Sequence, residues 1–157
     1  LLLLLIKHRA WSYIKNNARN KDTKMMAPKI FNFKKFMKKS GKLLPITFDK
    51  KFPITVKRIF FVYGKKNYKR GDHAHKKCSQ FFYPILGKIK INVQYKSIKK
   101  SFLLSHKKSK ALLVPPKVWC SVEFLNKDSI ILVFNNYKYD FNDYIESYEE
   151  FINYYNN

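Results

Sequence analysis

Between residues 29 and 135 the apolar side chains fall into short runs rich in β-branched and aromatic residues, and none carries a helical period. Runs at 30–33, 43–48, 54–63, 80–86, 89–95, 101–104, 111–114, 119–124 and 129–134 each have the length of a strand. The clearest alternates strictly, with Ile89, Ile91, Val93 and Tyr95 on one face. Turn signals separate the runs at Lys38-Lys39-Ser40-Gly41, at Pro53 and at Gly87-Lys88. Many short strands, with no helix between them to carry a parallel crossover, restrict the fold to an antiparallel sandwich or barrel.

A helical signal comes only afterwards. Phe141, Tyr144, Ile145, Tyr148, Phe151, Ile152 and Tyr155 recur at steps of three and four. They predict one C-terminal helix, with Asp140 as its start signal and Asp143 and Glu146 in its first turn. Such a helix would pack on the barrel or on a partner subunit. No repeat or linker interrupts residues 29–157, which are expected to form one domain. Residues 1–28 are expected to be an N-terminal extension outside it, either upstream read-through or a targeting segment. The apolar run at 1–6 is too short to span a bilayer, and the basic, acid-poor segment after it lacks a clear period.

The net charge of +23 invites a nucleic-acid reading, but composition weakens it. Lys vastly outnumbers Arg, and Ile, Asn, Phe and Tyr are abundant while Ala, Gly and Pro are scarce. An AT-rich genome imposes that skew on any protein. No strand interleaves its lysines with aromatics, so neither nucleic acid nor membrane is expected as a partner. A basic surface would still attract an anionic substrate such as a nucleotide diphosphate. Cys78 and Cys120 stand far apart without a metal-type or redox spacing, which suits a reducing, cytoplasmic setting.

The segment Arg70-Gly71-Asp72-His73-Ala74-His75-Lys76-Lys77 concentrates the chemistry. On a strand His73 and His75 point to the same face, while Ala74 turns the other way and is small enough to be buried. Two neighbouring imidazoles can share a metal, can flank a substrate and move protons on it, or can be satisfied polar residues in a basic loop.

In a β-barrel a His-x-His strand resembles the cupin arrangement. Gly71, His73, His75 and Gly87 follow the order of cupin motifs, but Gln80 stands where the usual acid would be. Near Pro115-Pro116, Cys120 takes the place of the third histidine. Gln is a poor ligand beside Glu, so a metal-free barrel is expected, with a His73–His75–Cys120 zinc site as the alternative.

Four segments make the resemblance specific: Val56-Lys57-Arg58-Ile59-Phe60-Phe61, the histidine segment, Val114-Pro115-Pro116-Lys117-Val118-Trp119 and Tyr139-Asp140-Phe141-Asn142-Asp143-Tyr144-Ile145. In this order the chain resembles the sugar 3,4-ketoisomerases of the WxcM-like cupin family. The resemblance implies a jelly-roll barrel, no cofactor, and a homodimer with strand exchange in which residues 30–33 would cross over. It implies a dTDP-linked 4-keto-6-deoxyhexose as substrate, for a surface-polysaccharide or aminosugar product. His73 and His75 would be base and acid, in either order, and Arg70 would stabilise the enediolate or hold a phosphate. Arg58, Tyr63, Lys77, Gln80 and Trp119 would contact the substrate. The family's Asp-x-Arg-Gly-x-Leu turn appears here as Lys38-Lys39-Ser40-Gly41-Lys42-Leu43. That departure motivates a second expectation, a non-catalytic sugar-nucleotide-binding module.

Overall fold

A computed structural model describes residues 26–156. The expectations for residues 1–24 lie outside the described residues. Twelve strands make up the domain: β1 (Lys29–Asn32), β2 (Phe36–Lys38), β3 (Gly41–Leu43), β4 (Arg58–Lys65), β5 (Lys69–His75), β6 (Gln80–Leu86), β7 (Lys88–Tyr95), β8 (Ile98–Ser105), β9 (Lys110–Val114), β10 (Trp119–Phe124), β11 (Asp128–Asn135) and β12 (Tyr144–Ile145). Among the described residues one α-helix, α1 (Tyr148–Asn156), follows them. Two five-stranded sheets face each other, in the orders β1-β9-β6-β11-β4 and β12-β5-β10-β7-β8. The pairings within each sheet and within the β2–β3 hairpin are all antiparallel. This is an antiparallel sandwich of the kind that the spacing of short strands predicts, and the jelly-roll barrel that the family resemblance implies.

The alternating strands place their apolar faces inward. Ile89, Ile91 and Val93 of β7 meet Val122 and Phe124 of β10, and Ile131 and Val133 of β11, in the main core. A second apolar layer lies on the outer face of the first sheet. There Phe81, Tyr83, Ala111, Leu113 and Phe134 are covered by Leu44, Ile46, Phe52, Ile54 and Val56. That cover corrects two strand expectations. Residues 43–48 do not form a strand beyond Leu43, and the strand expected from residue 54 begins only at Arg58. Their apolar residues serve a strap across the sheet, held by edge-on aromatic contacts such as Phe52 with Phe81 and Phe134.

The C-terminal expectation is corrected as well. Asp140 caps only a single 3-10 turn, Phe141–Asp143, accepting from the Asn142 amide. Tyr144 and Ile145 then pair with His75 and Ala74 as β12, and α1 starts only at Tyr148. The helical stripe is real from Tyr148 onward. Its N-terminal half is overridden because Asp143 is tied to the end of β5 and the following loop, where its carbonyl accepts from the Lys76 amide. Phe151 and Ile145 then pack over Ala74, which is buried as its size predicts.

Candidate active site

Local backbone geometry explains the order of residues in the histidine segment. Cys120 lies opposite His73 and Ser121 opposite Gly71, so Asp72 is the extra residue of a β-bulge. Gly71 has φ +94° and Asp72 φ +52°. A Cβ on Gly71 would come within 2.8 Å of the Cys120 carbonyl oxygen. Glycine is therefore required at the first position, and Asp tolerates the left-handed conformation at the second. The bulge has a functional consequence. Strict alternation would put Arg70 and His73 on opposite faces, whereas the inserted residue brings both to the same cavity.

That cavity, about 610 Å³, opens between the two sheets. Arg70, His73 and Cys120 line it from the β5–β10 side, with Tyr63 and Gln80 from the opposite sheet and Tyr144 and Glu146 from the C-terminal segment. Phe82, Val122, Phe124 and Ile131 form apolar wall. The Gln80 amide is held by Asn135 at 3.2 Å, so its position is fixed from behind. A mixed wall with a few convergent polar groups is the composition of a small-molecule site.

The two imidazoles lie with ring centroids 5.1 Å apart and planes perpendicular. Tyr144 contacts both, at 5.0 Å from His73 and 4.3 Å from His75. Burial lowers the His73 pKa below 6.5, opposed by a hydrogen bond to the Gly71 carbonyl and by the Glu146 and Asp72 carboxylates. For His75, burial and then the neighbouring His73 lower it to about 4, against the opposing pull of Asp143. Both rings are therefore neutral at neutral pH, and each carries one nitrogen able to accept a proton. His73 lines the cavity, whereas His75 sits behind it with its Nδ1 2.9 Å from Asp143 Oδ2.

The remaining expected site residues separate. Trp119 is corrected: it packs against Tyr148 and Phe151 under α1 and borders a different cleft, on the outer face of the second sheet. Lys77 is exposed and outside the cavity wall, and its backbone amide donates to Asp143 Oδ1 at 2.7 Å. Arg58 is also outside the wall, its guanidinium over Phe60 and Tyr139 at 5.3 and 5.5 Å. Tyr144, Glu146 and Asp143 were not marked as site residues by sequence. Their signal was hidden in a segment that reads as a helix, where the Asp-Tyr-Ile run looks like first-turn acid and apolar stripe.

Among the described residues, the donor atoms of the zinc alternative, His73–His75–Cys120, do not converge as a group. Burial raises the Cys120 thiol to about 12. His75, Cys78 and Asp143 do group their donor atoms within 4.8 Å. Yet the Asp143 oxygens already accept from the Lys77 amide, the Cys78 amide and the His75 ring, and burial raises the Cys78 thiol to about 11. The cluster is a hydrogen-bonded one, its carboxylate engaged by three donors.

Known proteins place this arrangement. A curated relative, the TDP-4-oxo-6-deoxy-alpha-D-glucose-3,4-oxoisomerase of Aneurinibacillus thermoaerophilus, is 31% identical over 130 residues, covering 82% of this chain and 93% of the relative. The structure of QdtA, a sugar 3,4-ketoisomerase from Thermoanaerobacterium thermosaccharolyticum bound to TDP, superposes with a TM-score of 0.76 at 28% identity, over 82% of this chain and 94% of that one. WlaRA, a TDP-fucose-3,4-ketoisomerase from Campylobacter jejuni, does so at 0.74 and 30%, over 83% and 96%. The family model described as FdtA, WxcM-like, C-terminal matches residues 25–156. With a family model that spans all the described residues and a curated relative 31% identical, this protein belongs to the FdtA, WxcM-like C-terminal family.

Proposed function

We propose that the protein is a nucleotide-sugar 3,4-ketoisomerase acting on dTDP-4-keto-6-deoxyglucose. The observation that carries the reading is a neutral, half-buried histidine lining the cavity beside a permanently charged arginine, His73 with Arg70. In the substrate the hydrogen on carbon 3 is acidified by the ketone at carbon 4. His73, its other ring nitrogen held by the Gly71 carbonyl, removes that proton. The electron pair moves into a carbon 3–carbon 4 double bond, and negative charge collects on the carbon 4 oxygen. Arg70 faces this enediolate as a fixed positive group. The proton of the carbon 3 hydroxyl then passes to the carbon 4 oxygen, the carbon 3 oxygen becomes the new carbonyl, and carbon 4 takes a proton from the His73 imidazolium. One imidazole serves both carbons because the two reacting atoms are adjacent. No metal or cofactor enters these steps.

Tyr63 and Gln80 supply polar contacts along the opposite wall, and the basic surface favours a diphosphate. A homodimer is part of the proposal. Phe36, Met37 and Leu43 on the β2–β3 hairpin, and Ile59 and Phe61 on edge strand β4, are exposed apolar groups that a second copy would cover. Within one chain β1 pairs with β9, and strand exchange would make the same pairing across the dimer. Free Cys78 and Cys120 suit a reducing cytoplasm, and no helix among the described residues is long and apolar enough to cross a membrane. The expected product feeds aminosugar or polysaccharide synthesis. Replacing His73 with Asn tests the reading: turnover should fall by about 10²–10⁴-fold with TDP affinity retained. A His73→Asn enzyme as fast as the unmodified chain would refute it.

A further inference from the structure

Asp143 is a buried carboxylate surrounded by donors. Its Oδ1 accepts from the Lys77 amide at 2.7 Å, and its Oδ2 accepts from the Cys78 amide at 3.2 Å and faces His75 Nδ1 at 2.9 Å. Its own backbone is fixed too, the amide donating to the Asp140 carbonyl and the carbonyl accepting from the Lys76 amide. The side chain therefore has no freedom to turn away. Backbone amides can only donate, and an ionised carboxylate can only accept. The proton of the His75 ring must then sit on Nδ1, and Nε2 is left with a bare electron pair. That Nε2 is buried and has no hydrogen-bond partner among the described residues. It belongs to the ring that stands perpendicular to His73, under the face of Tyr144.

We propose that Asp143 is a positioning residue of the isomerase reaction: by holding His75 in the Nδ1–H form, it keeps an unprotonated Nε2 in the buried ring next to the imidazole that handles substrate protons. The inference rests on the ketoisomerase reading above and adds a role for a residue outside the cavity wall. A second proton donor beside His73 would compete electrostatically with its imidazolium. A fixed lone pair instead favours that charge while it lasts, and its orientation is set before substrate arrives. Asp143 reaches His75 from the C-terminal segment, 68 residues away in sequence, so the 3-10 turn that ends in Asp143 is a working part of the site.

Two readouts on the full chain test this. Long-range proton–nitrogen spectra of the ¹⁵N-histidine-labelled protein at neutral pH should show His75 protonated at Nδ1 and bare at Nε2. The Asp143→Asn variant keeps the shape but offers one acceptor oxygen to three donors. Its kcat should fall about a hundredfold, with KM and TDP affinity within about threefold of the unmodified enzyme, and its His75 Nδ1 proton should lose its charge-assisted downfield position. A His75 protonated at Nε2 in the unmodified protein would overturn the proposal even if the variant fails to fold. So would an Asp143→Asn enzyme with kcat within about twofold, or one losing TDP affinity as much as kcat, since a merely structural residue behaves so. An unmodified chain without any turnover would refute the isomerase reading, whereas a fully active chain with an Nε2–H His75 would refute only the role of Asp143.

Discussion

At the scale of single residues, the buried histidines make the protein sensitive to acid in a definite direction. His75 has a folded-state pKa of about 4 against an ordinary 6.5, so the unfolded chain binds the proton first. Stability is fully present above pH 6.5 and is lost as pH falls from there toward 4. Urea midpoints should decline across this window, and His75→Gln should flatten the decline; an unchanged slope in the variant would contradict the assignment. Activity should follow His73 in the same sense. Its pKa lies below 6.5 because burial disfavours the imidazolium, so kcat/KM should be level near neutral pH and drop on the acid side. The histidine pair itself was readable, because period-two alternation puts His73 and His75 together and needs no tertiary knowledge. Trp119 was misassigned for the opposite reason: a strand has two faces, and nothing in its neighbours said which face carried the cavity. Asp143 and Tyr144 were out of reach, since each acts through a contact with β5 that only the folded chain brings about.

At the scale of elements, the bulge in β5 decides whether the site exists. Replacing Gly71 with Ala would force a side chain into the left-handed region and against the Cys120 carbonyl. The strain should cost about 1–3 kcal/mol by thermal or urea denaturation, and turnover should fall further than stability as Arg70 and His73 lose their shared face. Wild-type activity in Gly71→Ala would show that the bulge is dispensable. Most strands were legible because their runs are short and rich in β-branched and aromatic residues, even where both faces are buried, as in β6. The strap at residues 44–56 was not, since its apolar residues cover a sheet from outside and imitate strand composition. The C-terminal segment misled in a related way. Its threefold and fourfold spacing continues unbroken through Tyr144 and Ile145, but pairing with His75 and Ala74 wins over local helical preference.

At the scale of the whole molecule, two apolar layers sandwich the first sheet, and the outer one is shared between strap and strands. Phe81 is fully buried there, touched edge-on by Phe31, Phe33 and Phe52. Phe81→Ala should destabilise the fold by about 3–5 kcal/mol, measured by urea unfolding, and a loss below about 1 kcal/mol would mean the strap is not a folded layer. The exposed apolar residues of β4 and the hairpin predict a dimer, so light scattering should report twice the 18.9 kDa chain mass. The barrel leaves between its sheets a cavity lined by one neutral base, His73, and one permanent cation, Arg70, the pair proposed to transpose a ketone. The most direct test is proton NMR of dTDP-4-keto-6-deoxyglucose with the full chain in heavy water, chelator present. The carbon 3 proton signal is expected to disappear while a 3-keto-6-deoxyhexose accumulates. A folded protein that binds the nucleotide sugar yet leaves the carbon 3 proton in place and forms no 3-keto product would contradict it, and would assign the chain to sugar-nucleotide binding instead.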